Sequence, residues 1–272
     1  MKSSTQKMSP QIIDLDQIVR SRFGEKVPQF FINFMKKFIH QDFVNNFLKE
    51  GYVGVEFCEK TLDYLNVKIE VEGLENIPKG ERLTFASNHP LGAIDGVTLA
   101  WLVGREFDGK VRVLVNDFLM NLKGLAPLCI PINKIGGQAR NLPKLVDEVY
   151  QSDNQIVMFP AGLVSRLIKG KIQDLPWSKT FIQKSINSKR NIIPVHFIAQ
   201  NSKRFYRVDK IRKFFKIKFN ISMLLLPDEM YKSQGKTYKV IFGQPISYEY
   251  FDSSKSPLQW ADFVRNKVYE LK

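Results

Sequence analysis

From Val67 onward, short apolar runs recur along the chain with helical stretches between several of them, and this alternation restricts the fold more than any other feature. The runs fall at 67–71, 83–87, 111–115, 129–132, 156–159, 192–199, 219–226 and 240–242. Helix-spaced stretches intervene, for example at 95–103 and 142–151. Alternating strand and helix patterns predict an α/β fold, a mixed sheet flanked by helices. The chain closes in a predicted helix. Ser256, Pro257 and Gln259 form its capping-box opening, and Leu258, Phe263, Val264, Val268 and Leu271 form its apolar stripe.

Before Val67 the pattern is helical. Val27, Phe30, Phe31, Phe34, Met35, Phe38 and Ile39 share one wide helix face, with Pro28 fitting the first turn. Asp42 is positioned to cap a short helix carrying Phe43, Phe47 and Leu48, and another helix is predicted over 55–65. No linker-like Pro/Gly/Ser tract separates this region from the rest. Residues 1–66 are therefore expected to be a helical extension packed on an α/β domain of residues 67–272, the two forming one structural unit. The polar N-terminus has no apolar signal core, and no run reaches the roughly 18 apolar residues a membrane helix needs. A cytoplasmic protein with peripheral membrane contact is expected.

With 41 Lys and Arg against 27 Asp and Glu, the net charge of +14 calls for an acidic partner: nucleic acid, an anionic membrane or an acidic carrier protein. Cys58 and Cys129 read as reduced core residues, and three scattered histidines supply no zinc spacing.

The stretch with chemical content runs Phe85-Ala86-Ser87-Asn88-His89-Pro90-Leu91-Gly92-Ala93-Ile94-Asp95-Gly96. A buried strand ends in a Pro- and Gly-containing turn, and a helix starts near Asp95. Strand ends of α/β sheets are where ligands bind. If the turn folds Asp95 back onto His89, the carboxylate holds one imidazole tautomer, and His89 can take a proton from an attacking hydroxyl. By itself the same pattern also fits a turn histidine beside a helix-capping aspartate.

Asn-His followed by Asp-Gly after an apolar strand resembles the first motif of the glycerolipid acyltransferase superfamily, the lysophosphatidate acyltransferase-like proteins. The usual form has four residues between His and Asp; here there are five, Pro90 to Ile94. The form His-Pro-x-Gly-x-x-Asp-Gly is similar to the haemolysin-like subgroup related to glycine- and ornithine-lipid O-acyltransferases. Three later blocks follow in order. Leu128-Cys129-Ile130-Pro131-Ile132-Asn133-Lys134, with Gly136, Gly137 and Arg140 after it, resembles the acceptor-headgroup motif, with Lys134 in place of the usual Arg. Phe159-Pro160-Ala161-Gly162-Leu163-Val164-Ser165-Arg166 is similar to Phe-Pro-Glu-Gly-Thr-Arg-Ser, with Ala161 in place of Glu and the Arg displaced to Arg166. Ile192-Ile193-Pro194-Val195-His196-Phe197 resembles the fourth block. His196 reads as a buried, hydrogen-bonded residue and His40 as a surface or helix-end one.

The resemblance implies a glycerol-3-phosphate acyltransferase-like fold and transfer of a fatty acyl group from an acyl thioester, acyl-CoA or acyl carrier protein, to a lyso-lipid hydroxyl. His89 is then the general base, oriented by Asp95. Asn88 orients the loop and counts with the substrate-binding residues, Gly162 and Ser165 shape a backbone pocket, and Lys134, Arg140 and Arg166 bind anionic groups. Such an attack needs no cofactor, no metal and no covalent enzyme intermediate. An N-(3-hydroxyacyl) amino acid is the favoured acceptor, with lysophosphatidate as the alternative. A non-catalytic protein docking on anionic membranes is the alternative of another class. Eight basic residues and interleaved aromatics between Lys203 and Lys218 suit an anionic bilayer or an acidic carrier. Without a nucleic-acid-binding motif, nucleic acid is not expected as a partner.

Overall fold

The structure is a computed structural model that describes residues 7–115, 122–131, 142–215 and 221–272. Lys134 and Arg140 lie outside the described residues. Four helices come first: α1 (Leu15–Phe23), α2 (Gln29–Phe38), α3 (Gln41–Leu48) and α4 (Gly54–Tyr64). Then follow β1 (Lys68–Glu72), β2 (Leu83–Ser87), α5 (Ala93–Glu106), β3 (Val111–Val115), β4 (Cys129–Pro131), α6 (Leu142–Gln151) and β5 (Gln155–Met158). A hairpin of β6 (Arg166–Ile168) and β7 (Lys171–Gln173) precedes α7 (Thr180–Asn187), β8 (Asn191–Ile198), α8 (Lys203–Phe214), α9 (Leu226–Tyr231), β9 (Thr237–Phe242) and α10 (Pro257–Glu270).

Among the described residues one sheet has seven strands in the order β1-β9-β8-β2-β5-β3-β4. Strands β8, β2, β5, β3 and β4 run parallel, and the parallel pair β1–β9 joins them antiparallel through β8–β9. The sheet is therefore mixed, as the alternation predicts. Strand β2 is central and buried throughout, because neighbours pair on both sides and helices cover both faces. Successive residues sort onto opposite faces. Leu83 and Phe85 join a core shared with α4 and α5, while Ala86 joins a second one with Trp177, Phe181, Trp260 and Val264. Helices α4 and α5 come close because Gly104 has no side chain; a Cβ there would lie 2.4 Å from Cγ2 of Val55.

The N-terminal helices divide. Phe47 and Leu48 of α3 and Phe57, Cys58 and Leu62 of α4 belong to the main core. Leu15 and Val19 of α1 pack on Ile32 of α2 in a small separate cluster. That leaves Phe30, Phe31 and Phe34 of α2 exposed. Cys58 and Cys129 are free and buried, and burial pushes both thiols up.

Two expectations are corrected. The apolar run 219–226 is expected as a strand; its described part, from Ile221, forms a 3-10 turn over Ile221–Leu225 that enters α9. Pro227 in the first turn, followed by Asp228 and Glu229, is a helix start, and a short apolar run does not by itself distinguish strand from helix. The described part of the basic segment forms helix α8, capped by Ser202, with residues 216–218 outside the described residues, and its aromatics are not all available to a partner. Phe205 and Tyr206 are buried against Val164 and Leu225; Phe214 and Phe215 remain exposed.

Candidate active site

The chain leaves β2 for the β5–β3–β4 side of the sheet and returns for β8 on the other side, so the C-terminal end of β2 is a switch point where a crevice opens. His89 lies just beyond it. Gly92, with φ of +95°, takes a conformation closed to most side chains and turns the chain back. Asp95, fully buried in the first turn of α5, then meets the imidazole: His89 Nδ1 lies 3.2 Å from Asp95 Oδ2, close but off the in-line hydrogen-bond direction. Backbone N–H groups of Leu91 (2.9 Å) and Gly92 (3.2 Å) donate to Oδ2, and that of Gly96 donates to Oδ1 at 2.9 Å. The carboxylate thus caps its own helix and faces the ring at once.

Phe159 stacks on the imidazole with centroids 4.1 Å apart. The His89 side chain keeps 17% of its surface exposed, and Nε2 has no partner among the described residues. Burial alone would lower the pKa of His89. The Asp95 carboxylate and, less strongly, Asp174 raise it, Arg166 opposes them, and the net direction is upward.

Several residues expected to touch substrate are engaged within the fold. Asn88 donates from Nδ2 to the carbonyl of Phe197 (2.9 Å) and accepts the Phe197 N–H at Oδ1 (2.7 Å), so its amide extends the β2–β8 ladder. The pocket expected from Gly162 and Ser165 does not form from their N–H groups. That of Gly162 closes a turn onto the Phe159 carbonyl (2.9 Å), and that of Ser165 donates to the His89 carbonyl (2.7 Å). Arg166 is 2% exposed; it donates to the Val164 carbonyl and pairs with Asp209 at 3.4 Å. It influences the site as a nearby buried charge, and its expected place as an open anion clamp is not what the fold provides. Arg212 and Lys213 of α8 also converge on Asp209. His196, as expected, is hydrogen-bonded: Nδ1 lies 2.6 Å from the Leu271 carbonyl. His40 stands at the N-cap position of α3, and its side chain, rather than capping the helix, pairs with Asp228 at 3.0 Å.

A sequence model of the family described as Acyltransferase matches residues 19–272, nearly the whole chain. The chain belongs to this acyltransferase family.

Two relatives make the same point at closer range. A lyso-glycine lipid O-acyltransferase from Bacteroides thetaiotaomicron is 52% identical over 265 residues, covering 96% of this chain and 97% of that one. One of the same description from Phocaeicola vulgatus is 49% identical, covering 96% and 95%. The crystal structure of the 1-acyl-sn-glycerophosphate acyltransferase of Thermotoga maritima superposes with a TM-score of 0.52 at 14% identity, over 94% of this chain and 87% of that one; at that identity it speaks for the fold alone. The chain is thus an acyltransferase with the expected fold, and the non-catalytic alternative is set aside. Two parts of its site are not legible in the sequence. Phe159 sits in a recognisable motif, but its stacking on His89 depends on β5 and β2 being neighbours. Asp174 lies in no motif and reaches His89 across 85 residues.

Proposed function

We propose that this acyltransferase moves a fatty acyl group from an acyl thioester to the free hydroxyl of a lyso-glycine lipid, an N-(3-hydroxyacyl) amino acid, with His89 as general base. The observation that carries the base assignment is the pairing of buried Asp95 with Nδ1, which leaves Nε2 to take the hydroxyl proton. The oxygen then attacks the thioester carbonyl, the acyl–sulfur bond breaks and the thiol leaves with a proton. The exchange of sulfur for oxygen calls for no electron carrier, and acyl-CoA or acyl carrier protein is the donor in this reading. Two relatives of about half identity support the acceptor. So does Ala161, which stands where the glycerolipid pattern has a carboxylate. With purified enzyme and one thioester, kcat/KM for a lyso-glycine lipid is expected to exceed that for lysophosphatidate on the order of 10²-fold. An advantage for lysophosphatidate overturns the acceptor and leaves the acyltransferase intact.

The working location in this reading is the inner face of the cell membrane. No helix among the described residues is long and apolar enough to cross a membrane. Phe30 (76% exposed) and Phe34 (63%) on α2, and Phe214 (79%) at the end of α8, are candidates to enter a bilayer surface. The two helices meet where Phe38, stacked on Phe34 at 6.0 Å, lies under the Arg204 guanidinium at 5.5 Å. Because Arg204, Arg212 and Lys213 already face carboxylates, Lys203, Arg207 and Lys210 are the cations to reverse. The triple glutamate variant is expected to bind phosphatidylglycerol vesicles on the order of 10²-fold more weakly, about 1 kcal/mol per cation, and with less salt dependence. Unchanged vesicle binding would assign α8 to an acidic carrier instead, to be checked by carrier pull-down.

A further inference from the structure

Both main-chain groups of His89 are held by the segment Ser165 to Asp174, which spans the β6–β7 hairpin. The His89 N–H donates to Asp174 Oδ1 at 3.2 Å, and the His89 carbonyl accepts the Ser165 N–H at 2.7 Å. The Ser165 hydroxyl donates to the same Asp174 oxygen at 2.5 Å, and the Trp177 indole N–H to the other at 2.9 Å. Asp174 is itself fixed from α10: its N–H donates to the Tyr269 hydroxyl oxygen at 2.8 Å, and its carbonyl accepts from Arg265 Nη2 at 3.0 Å.

A carboxylate 1% exposed is costly to bury as an ion, and holding the His89 N–H and the Ser165 hydroxyl does not require a charge; one amide carbonyl would accept both, and only the Trp177 N–H would lose its acceptor. What a carboxylate adds is potential at the imidazole. We infer that Asp174 is a positioning residue for the reaction: it fixes the His89 backbone and shares with Asp95 the stabilisation of the imidazolium formed when His89 takes the acceptor proton. This rests on His89 being the base. The charged and titratable groups facing His89 are Asp95 from α5, Asp174 from the end of the hairpin and Arg166 from β6. Those acting with Asp174 are His89, Tyr269 and Arg265 of α10, and His196 of β8. Burial raises the pKa of Asp174 and prevails over its three donors and His89, which pull the other way.

The test is an NMR titration of the ring signals in histidine-labelled protein, free of any substrate. With three histidines in the chain, His89 is assigned by its loss in His89→Ala. In Asp174→Asn, which keeps one carbonyl acceptor for the His89 and Ser165 donors, His89 is expected to titrate at lower pH, and kcat with a lyso-glycine lipid to fall on the order of tenfold at unchanged KM. The acid limb of the rate profile should move down with it. Ser165→Ala removes one tie and keeps both charges; it should lower kcat severalfold and leave the titration in place, and it serves if Asp174→Asn does not fold. An unmoved titration with full kcat in folded Asp174→Asn, or full kcat in Ser165→Ala, overturns the inference provided His89→Ala is inactive. Turnover persisting in His89→Ala instead overturns the base assignment itself.

Discussion

Replacing His89 with alanine is expected to lower kcat by about 10²–10⁴-fold, the usual contribution of a positioned general base. Vesicle binding and the folded state should persist, because among the described residues the side chain is tied to the fold only through Asp95 and the Phe159 ring. Turnover within a few-fold of wild type would remove His89 from the mechanism. The pH dependence follows from the same geometry. Only the neutral imidazole can accept a proton, and its pKa is raised. The rate should therefore climb with pH through a value above that of an ordinary histidine and level off beyond it. Asp95→Asn should move this limb downward, since the charge that favours the imidazolium is gone, and should cut kcat as well. A profile identical to wild type would show that the carboxylate acts only as a helix cap.

The second large effect is on stability and lies at the other end of the sheet. Arg190, just before β8, is fully buried. Its guanidinium donates to the carbonyls of Tyr150 (2.8 Å), Leu83 (3.2 Å), Asn154 (2.9 Å) and Ser152 (2.5 Å), and so joins the end of α6, the start of β2 and the turn before β5. Burial lowers its pKa to about 10. Arg190→Met fills similar space but leaves those carbonyls without their donor, those of Tyr150 and Leu83 in buried surroundings. Each such loss costs about 1–3 kcal/mol, so a total of about 3 kcal/mol or more is expected. Chemical denaturation of the purified variant measures it, and a thermal midpoint lower by roughly 10 °C should accompany it. His89 stands at the opposite strand ends, so kcat below the midpoint should stay near wild type. A midpoint unchanged within experimental error would contradict the role given to Arg190.

The alternation after Val67 and the stretch from Asn88 to Asp95 were open to a reader of the sequence alone, for a physical reason. Helix and strand periods, caps and tight turns are set by residues within a few positions of one another. The mixed sheet, the helix after His89 and the return of Asp95 to the imidazole all rest on such short-range relations, with Gly92 making the turn. The resemblance to acyltransferases was carried by the same local blocks. What lay beyond reach were partnerships between distant segments. Asn88, Ser165 and Arg166 have side chains fit to bind a substrate, and their spacing says nothing against it. Only once β2, β8, the β6–β7 hairpin and α8 are assembled do Phe197, Asp174 and Asp209 meet them. A polar group sealed from water must then bond to whatever stands beside it. The same applies to the aromatics of α8, where depth in the fold separates buried Phe205 from exposed Phe214. The sequence by itself determined the class of fold, the family and the pair His89–Asp95. The tertiary structure decided which other polar side chains hold the site together, because burial and long-range pairing come into being only when the strands meet.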